Sequence, residues 1–225
     1  MNGSTTDLTA ATVLARLGEH ASPEGAASTR TRVPGEVPVL GVRMGTLFAI
    51  AKQARDLPPT EIEALVAQDC YEARLAAYCV LDFQARRTPG NPDLLAAYLR
   101  HHDRIITWDM VDRAAPWVVG AAISTGPYDV LHNLADSSDP LRRRTAITAP
   151  LWFVRRGTDS DLAGGFTVAA RLAADPAPVV TNAVGIYLAH AGERDPTALD
   201  DFLTAHEPSM PRPAARLATR KRRTR

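Results

Sequence analysis

Cysteine and long apolar runs are both scarce in this sequence. The two cysteines, Cys70 and Cys79, lie nine residues apart in an alanine-rich segment, which excludes a disulfide framework and a Cys-x2-Cys metal motif. No apolar run approaches the roughly 20 residues that a membrane-spanning helix needs, and the first residues lack the basic-then-apolar pattern of a signal peptide. We therefore expect a soluble, cytoplasmic protein with both cysteines reduced in its core.

The chain also lacks the overall positive charge that is common in nucleic-acid-binding proteins. Its net charge is +1, but six of its 26 basic side chains lie in the segment 216–225, so the 20 others stand against 25 acidic side chains. The body of the chain is therefore acidic. Any contact with DNA must use local basic clusters or the basic C-terminal segment.

The residues that are plentiful favour helices. Aromatic residues make up only 6% of the chain while alanine is common, which is typical of helices that pack through small side chains. From Gly41 onward apolar residues recur at helical spacing, and strand-like alternation is nowhere convincing. We predict helices at 6–18, 43–56, 59–68, 71–87, 91–103, 107–124, 127–135, 140–156, 159–174, 177–192 and 195–205.

Part of this pattern repeats along the chain. An Asp-x4-Arg-x-Ala motif begins at Asp69 and again at Asp139, and a similar segment opens at Asp175. Helical repeats of roughly 40 residues are typical of HEAT-type solenoids, in which stacked helix pairs leave a concave surface lined by every second helix. We predict an all-α protein, an α-α superhelix of HEAT-like repeats. Its parts are an N-terminal helix and flexible connection at 1–38, the repeat domain at 39–211 and a basic C-terminal tail at 212–225.

The segment around Trp108 is the strongest candidate for chemistry. Thr107 can cap a helix that begins at Trp108, and Asp112 then lies four residues further on, on the same helical face. Asp109 points elsewhere and suits the positive end of the helix dipole. An aromatic ring and a carboxylate would project together, with Arg144 on the inner helix of a later repeat. Taken alone, the pair is more typical of a core tryptophan and a solvated aspartate.

The sequence resembles the AlkD-type DNA alkylation repair glycosylases, which are built wholly from HEAT-like repeats. The resemblance covers roughly residues 40–205. Its most specific part is the Trp-Asp-x-Val-Asp run that starts at Trp108. The full set of matching stretches is Leu40-Gly41-Val42-Arg43, Glu72-x-Arg74-x-Ala76-Ala77, Thr107-Trp108-Asp109-x-Val111-Asp112, Arg142-Arg143-Arg144-x-Ala146-Ile147, and Asn182-Ala183-Val184-Gly185 ahead of Leu188.

The resemblance implies a DNA glycosylase that needs neither metal nor cofactor and releases alkylated purines from double-stranded DNA. Asp112 would be the catalytic carboxylate, Trp108 an aromatic wall against the lesion, and Arg144 a clamp on the neighbouring phosphate. We expect a monomer that acts on nucleoid DNA in the cytoplasm. Further basic residues expected at the DNA-binding surface are Arg43, Arg142, Arg143, Arg155 and Arg156.

The chain departs from the family pattern at Ile186. Family members typically place a second tryptophan directly after the glycine, whereas here Ile186 follows Gly185 and by the resemblance would form that wall of the lesion cleft. Tyr187 lies about 100° further around a helix of 3.6 residues per turn, so it is a poor replacement. An aliphatic wall could pack on a sugar, make room for a bulkier adduct, or mark a lineage that binds DNA without efficient catalysis.

Two other functions stay open beside this one. A non-catalytic HEAT-like scaffold that binds DNA or a protein is favoured by the acidic body and by Ile186. A self-protection glycosylase for a bulky genotoxin adduct is the other, because Ile186 would widen the cleft.

Other polar residues have ordinary explanations. Glu72 and Arg74 are expected to serve mainly in ion pairs between repeats. His101 and His102 lack the spacing of a metal motif and are expected to face solvent.

Overall fold

The computed structural model describes residues 8–220, and within this range the chain forms helices without any strand. The all-α prediction is confirmed. In chain order the helices are α1 (Ala10–Gly18), α2 (Pro23–Arg30), α3 (Met44–Gln53), α4 (Pro59–Ala67), α5 (Tyr71–Arg87), α6 (Pro92–Arg100), α7 (Trp108–Ala115), α8 (Asp129–Ala135), α9 (Pro140–Thr148), α10 (Leu151–Arg156), α11 (Asp159–Arg171), α12 (Pro178–Arg194), α13 (Pro196–His206) and α14 (Arg212–Ala218).

Prolines explain most of the helix boundaries. Pro59, Pro140 and Pro178 each lie in the first turn of a helix, where the missing N–H group has no intrahelical partner to lose. Pro150 divides the segment 140–156, predicted as one helix, into α9 and α10, because proline cannot continue a helix without losing a hydrogen bond. The predicted helix 107–124 likewise ends early, at a π-helical turn over Pro116–Gly120.

Contacts divide the chain into two compact units, which the sequence does not predict. Unit 1 comprises Met1–Thr88 and Asp93–Ala114, and unit 2 comprises Pro89–Pro92 and Ala115–Arg225, each to the extent that it is described. In unit 1, α5 packs against α1, α3 and α4. In unit 2, α12 packs against α9, α10, α13 and α14. Each of these central helices is buried on nearly all sides, as expected for a helix without a polar face.

The segment 20–41, of which residues 20–38 are predicted as a flexible connection, contains α2 and is held against α5. The buried carboxylate of Glu72 accepts the N–H groups of Leu40 at 2.9 Å and Gly41 at 2.7 Å. Gly41 has a φ of +78°, and a Cβ there would lie 2.1 Å from the Ala26 nitrogen, so only glycine fits. Hydrogen bonds to a distant buried acid and one tight backbone contact order this segment, and neither is visible in its composition.

The segment 212–225, predicted as a basic tail, begins with a packed helix. Ala214 and Ala218 of α14 are buried, and α14 packs on α12. A Cβ at Gly185 would lie 2.8 Å from the Ala214 carbonyl oxygen, so this glycine lets the two helices approach. Residues 221–225 of the predicted tail, and residues 6 and 7 of the predicted first helix, lie outside the described residues.

Within residues 8–220 no helix combines the length and the apolar character needed to cross a bilayer.

Candidate functional site

Helix α7 begins at Trp108, as predicted, and presents Trp108 and Asp112 away from its buried face. The side chains of Met110, Val111 and Ala114 are fully buried. Trp108 is 47% exposed and is the one large apolar side chain that is exposed among residues 8–220. Asp112 is half-buried. An exposed tryptophan one turn from a carboxylate on one helix is suited to contact with a ligand that lies against the surface.

Side-chain contacts of Asp109 hold the first turn of α7 in place. The Asp109 carboxylate accepts hydrogen bonds from the hydroxyl groups of Tyr71 and Thr107, and Arg32 lies 3.8 Å away as an ion-pair partner. Burial and the neighbouring Asp109 carboxylate raise the pKa of the Tyr71 hydroxyl above its usual value, so Tyr71 stays a neutral donor. Asp109 therefore holds the start of α7, and the prediction that it points away from the Trp108 face agrees with these contacts.

The second turn of α7 is fastened through Arg113. Its guanidinium lies 2.9 Å from the carboxylate of Asp82, which is fully buried on α5, and 4.7 Å from the ring centroids of Phe48 and Phe83. The single Nε–H group of Arg86 also donates to both oxygens of the Asp82 carboxylate, at 3.0 and 2.9 Å. Burial raises the pKa of the Asp82 carboxyl, and the two guanidinium groups oppose that shift.

Sequence reasoning missed these anchors. An aspartate inside the apolar run of α5 is a signal that could have identified Asp82, since a buried acid requires a partner. Tyr71 and Arg32 give no such signal, because Arg32 lies in a segment whose composition is typical of a linker.

The predicted DNA contact Arg143 is engaged inside unit 2. Its Nε and Nη2 atoms donate to the carboxylate of Asp175 at 2.6 and 3.2 Å, and its Nη1 atom donates to the carbonyl oxygens of Ser137 and Ser138, both at 2.9 Å. The hydrogen bond from Arg143 to Asp175 raises the pKa of the guanidinium. These contacts give Arg143 a structural role, which the sequence pattern does not show.

Arg144, the predicted phosphate clamp, is also largely enclosed. Only 3% of the residue is exposed, and its Nη1 group donates to the carbonyl oxygen of Val179 at the start of α12. Arg144 therefore contributes to the packing of α9 against α12, whatever else it contacts.

The other predicted cations lie nearer to solvent. Arg142 is 35% exposed and lies 4.0 Å from Asp139. Arg155 and Arg156 are exposed at the end of α10, and the Arg156 guanidinium lies 4.5 Å from the Trp117 ring centroid. Arg43 is exposed at the start of α3 in unit 1. Exposed arginines of this kind can contact phosphate groups.

Ile186 is half-buried on α12, and its neighbour does not substitute for a second tryptophan. Tyr187 is fully buried, and its hydroxyl donates to the carbonyl oxygen of Leu162 at 3.3 Å. Its ring packs edge-on against Phe166. The inference from helical geometry that Tyr187 is a poor replacement is confirmed.

The partners of Arg74 and the burial of His102 differ from the sequence predictions. Arg74 is structural as expected, but its partners are Asp69 at 2.9 Å and the Gln68 carbonyl oxygen at 2.8 Å rather than Glu72. The expectation that His102 faces solvent is wrong, because the ring is fully buried beside Tyr98. Within the described part of the chain, no group of three or more His, Cys, Asp or Glu residues is placed to hold a metal ion.

Paired helices, an exposed tryptophan beside a carboxylate and several exposed arginines define an all-α helical-repeat protein suited to nucleic acid. Residues 13–221 match the model of the DNA alkylation repair enzyme family, and the chain belongs to this family. DNA is therefore its partner, and repair of alkylated DNA is its general role.

Two solved structures share the fold. A predicted DNA alkylation repair enzyme from Enterococcus faecalis is 16% identical, with a TM-score of 0.68 over 89% of this chain and 95% of that chain. AlkD2 from Streptococcus mutans is 13% identical, with a TM-score of 0.63 over 94% of this chain and 98% of that chain. Comparison with curated protein sequences gave no match. These likenesses agree with the predicted helical-repeat fold.

Proposed function

We propose that the protein is a DNA glycosylase that hydrolyses the N-glycosidic bond of positively charged alkylated purines in duplex DNA. The observation that carries this proposal is the exposed face of α7, where Trp108 and Asp112 lie one turn apart on a helix that is fastened in both of its turns. The substrates are of the 3-methyladenine and 7-methylguanine type or bulkier N3 and N7 adducts. The protein acts as a monomer on chromosomal DNA and uses no cofactor.

The chemistry requires little more than one well-placed carboxylate. An N3- or N7-alkylated purine carries a positive charge, so it leaves as a neutral base when it takes the bonding electron pair. Positive charge then develops on the deoxyribose, and water adds to C1′ and loses a proton. An ionised carboxylate beside the sugar stabilises that charge and orients the water. We assign this role to Asp112.

The size of this electrostatic effect is sufficient for catalysis. At an effective dielectric constant near 20, two unit charges about 4 Å apart interact by roughly 4 kcal/mol. An interaction of that size made only in the transition state corresponds to about a thousandfold in rate. One carboxylate therefore accounts for a large acceleration without a general acid.

Trp108 supplies a flat apolar surface against which the lesion and its sugar can pack. A surface site of this kind differs from the deep pockets of enzymes that extrude the base from the duplex. A cleft of about 270 Å³ does lie among α4, α5 and α6 in unit 1, but none of its lining residues belongs to α7. The proposal therefore places the reaction on the face of α7 and not in this cleft.

The arginines bind the DNA backbone in this proposal. Arg142, Arg155, Arg156 and Arg43 contact phosphate groups without regard to sequence. Arg144, which also donates to the Val179 carbonyl oxygen, is proposed to contact a backbone phosphate. Arg143 is omitted from the set because its donors serve Asp175 and the 137–138 turn.

The isoleucine at position 186 is compatible with two alternative functions. An isoleucine is smaller than the tryptophan of the family pattern, so in a glycosylase it would leave room for a bulky adduct. The same substitution, together with the acidic body of the chain, suits a helical-repeat scaffold that binds DNA or a protein partner without excising a base.

Base release from defined duplexes tests the proposal. The full chain is incubated with duplexes that carry 7-methylguanine, 3-methyladenine or a bulky N3-adenine adduct, and the freed base is separated and quantified. The proposal predicts release from at least one substrate and none from the unmodified duplex. Tight binding to these duplexes with no release would replace it with the scaffold function. Release confined to the bulky adduct would identify the self-protection enzyme.

A further inference from the structure

The start of α7 is supported by a residue of another helix whose role the family assignment does not give. Tyr71, the first residue of α5, places its hydroxyl on the Asp109 carboxylate next to Trp108. Tyr71 is buried. Arg32 lies 5.8 Å from the centre of the Tyr71 ring and 3.8 Å from Asp109, so it contacts both members of the pair.

We propose that Tyr71 is a positioning residue for the reaction, which holds the first turn of α7 through Asp109 so that Trp108 and Asp112 keep their places on the exposed face. Arg32 supports the same pair from the segment 20–41. The inference rests on the proposed glycosylase function for its effect on catalysis, but its structural part can be measured without a substrate.

The length of α7 makes such support necessary. The helix has eight residues, and helices shorter than about 12 residues are marginal in water without tertiary contacts. The first-turn N–H groups of a helix also lack intrahelical partners. A catalytic group must be held to within about 0.5 Å of its productive place, so the orientation of α7 has to be fixed by its neighbours.

The two fastenings of α7 differ in what they control. The Arg113–Asp82 pair lies after Asp112 and acts through a long, flexible arginine side chain. Asp109 lies between Trp108 and Asp112 in the sequence, and Tyr71 contacts it through the hydroxyl of a rigid phenol ring. Loss of the Tyr71 hydroxyl therefore loosens the turn that carries Trp108, because only Thr107 and Arg32 then hold Asp109, while the second turn stays attached.

A matched control exists on the same helix. Tyr78 of α5 is as deeply buried as Tyr71, and its hydroxyl donates to the His101 carbonyl oxygen at 2.8 Å instead of to α7. Tyr71→Phe and Tyr78→Phe each remove one buried hydroxyl from α5. A purely structural role for Tyr71 predicts that the two variants behave alike.

The experiment compares these two variants with the wild-type chain labelled with 5-fluorotryptophan. The three tryptophan resonances are assigned by Trp→Phe replacement. Tyr71→Phe is expected to shift or broaden the Trp108 resonance, and Tyr78→Phe is expected to leave it unchanged. At saturating enzyme, Tyr71→Phe lowers the single-turnover rate of base release about tenfold or more with little change in DNA affinity, and Tyr78→Phe does not.

The outcomes separate this inference from the proposed function. An unchanged Trp108 resonance in Tyr71→Phe, or equal effects of both variants on resonance and rate, would overturn the positioning role. A wild-type protein that releases no base would overturn the glycosylase proposal instead, while the fluorine spectra still decide the role of Tyr71. If Tyr71→Phe does not fold, Asp109→Asn is the second variant. It weakens the same contact and is expected to perturb the same resonance, and an unperturbed one would contradict the inference.

Discussion

Asp82 and Arg113 form an ion pair at 2.9 Å in which the aspartate side chain is fully buried and the arginine side chain is 21% exposed. Two charges that leave water need each other, because a buried charge without its partner loses solvation that nothing replaces. The pair joins α5 to the residue that directly follows Asp112. The same interaction that stabilises unit 1 therefore holds the helix of the candidate site.

Asp82→Asn is expected to lower the free energy of unfolding by about 3 kcal/mol, because it leaves Arg113 and Arg86 without their shared counter-charge. Urea unfolding at neutral pH measures this loss. Asp69→Asn is the control, since Asp69 pairs with Arg74 but is 76% exposed, and such pairs contribute about 0–1 kcal/mol. Equal losses in the two variants would show that burial of Asp82 does not govern the strength of its pairs.

Asp161 is expected to contribute to the acid stability of unit 2. Burial raises the pKa of its carboxyl, but hydrogen bonds outweigh this and lower it overall. The donors are the N–H groups of Thr125 at 2.6 Å and Thr158 at 2.8 Å, and the hydroxyls of Tyr128, Thr158 and Ser124 at 2.9, 3.0 and 3.1 Å. A carboxylate whose folded pKa is depressed contributes stability that is complete above its unfolded pKa, near 3.9, and is lost as pH falls through the folded value.

The contribution of Asp161 is measured from the free energies of unfolding of the wild type and Asp161→Asn between pH 7 and pH 2.5. The variant is expected to be less stable at pH 7 by about 2 kcal/mol, since it loses charge-assisted hydrogen bonds, and its stability falls less steeply below about pH 4. Asp129→Asn changes an exposed carboxylate of the same unit and keeps the wild-type slope. Parallel acid curves for wild type and Asp161→Asn would refute this account of Asp161.

Alanine substitutions of Arg144 and Arg143 are expected to differ in their effect on DNA binding, although both reduce stability. Arg144→Ala is expected to lower the slope of log affinity against log salt by about one, because one phosphate contact is lost, and to reduce stability by loss of the Val179 hydrogen bond. Arg143→Ala is expected to reduce stability through Asp175 and to leave the salt slope unchanged. Titration of labelled duplex at several salt concentrations measures both slopes. An unchanged slope for Arg144→Ala would restrict Arg144 to its structural role.

The basic residues at 221–225 are expected to supply non-specific affinity for DNA, because blocks of like charge remain solvated and often act as nucleic-acid arms. Deletion of 221–225 leaves α14 intact and should lower affinity for undamaged duplex severalfold at low salt. Single-turnover excision at saturating enzyme should be nearly unchanged. Equal duplex affinity with and without these residues would show that the positive charge for DNA lies elsewhere, first at Arg142, Arg155 and Arg156.

Much of the fold can be predicted from the sequence because local signals mark each helix. Proline at the first turn and helical spacing of apolar residues placed the ends of α4, α5 and α9 within about two residues, apart from the break at Pro150. The ordered structure of the segment 20–41 could not be predicted. It depends on the buried carboxylate of Glu72, which lies 31 residues from Gly41 in the chain. Distant partners of this kind leave no periodic pattern.

The candidate site was predictable only in part, for the same reason. Four-residue spacing places Trp108 and Asp112 on one face of a helix, and the structure has them there. Spacing cannot tell an exposed arginine from an enclosed one, so Arg143 and Arg156 look alike in sequence although only Arg156 is exposed. That difference depends on Asp175, which neighbours Arg143 only in the folded chain.

In the proposed mechanism Asp112 is the carboxylate that stabilises the developing sugar cation. The most direct measurement is single-turnover base release from an alkylated duplex by the wild type, Asp112→Asn and Asp103→Asn, with duplex affinity and thermal unfolding measured alongside. Asp103 is exposed in the same unit and serves as the control. We expect Asp112→Asn to fold and bind like the wild type but to release base about a hundredfold more slowly, and Asp103→Asn to release base at the wild-type rate, as this mechanism requires. Excision at the wild-type rate by a folded Asp112→Asn protein would contradict it.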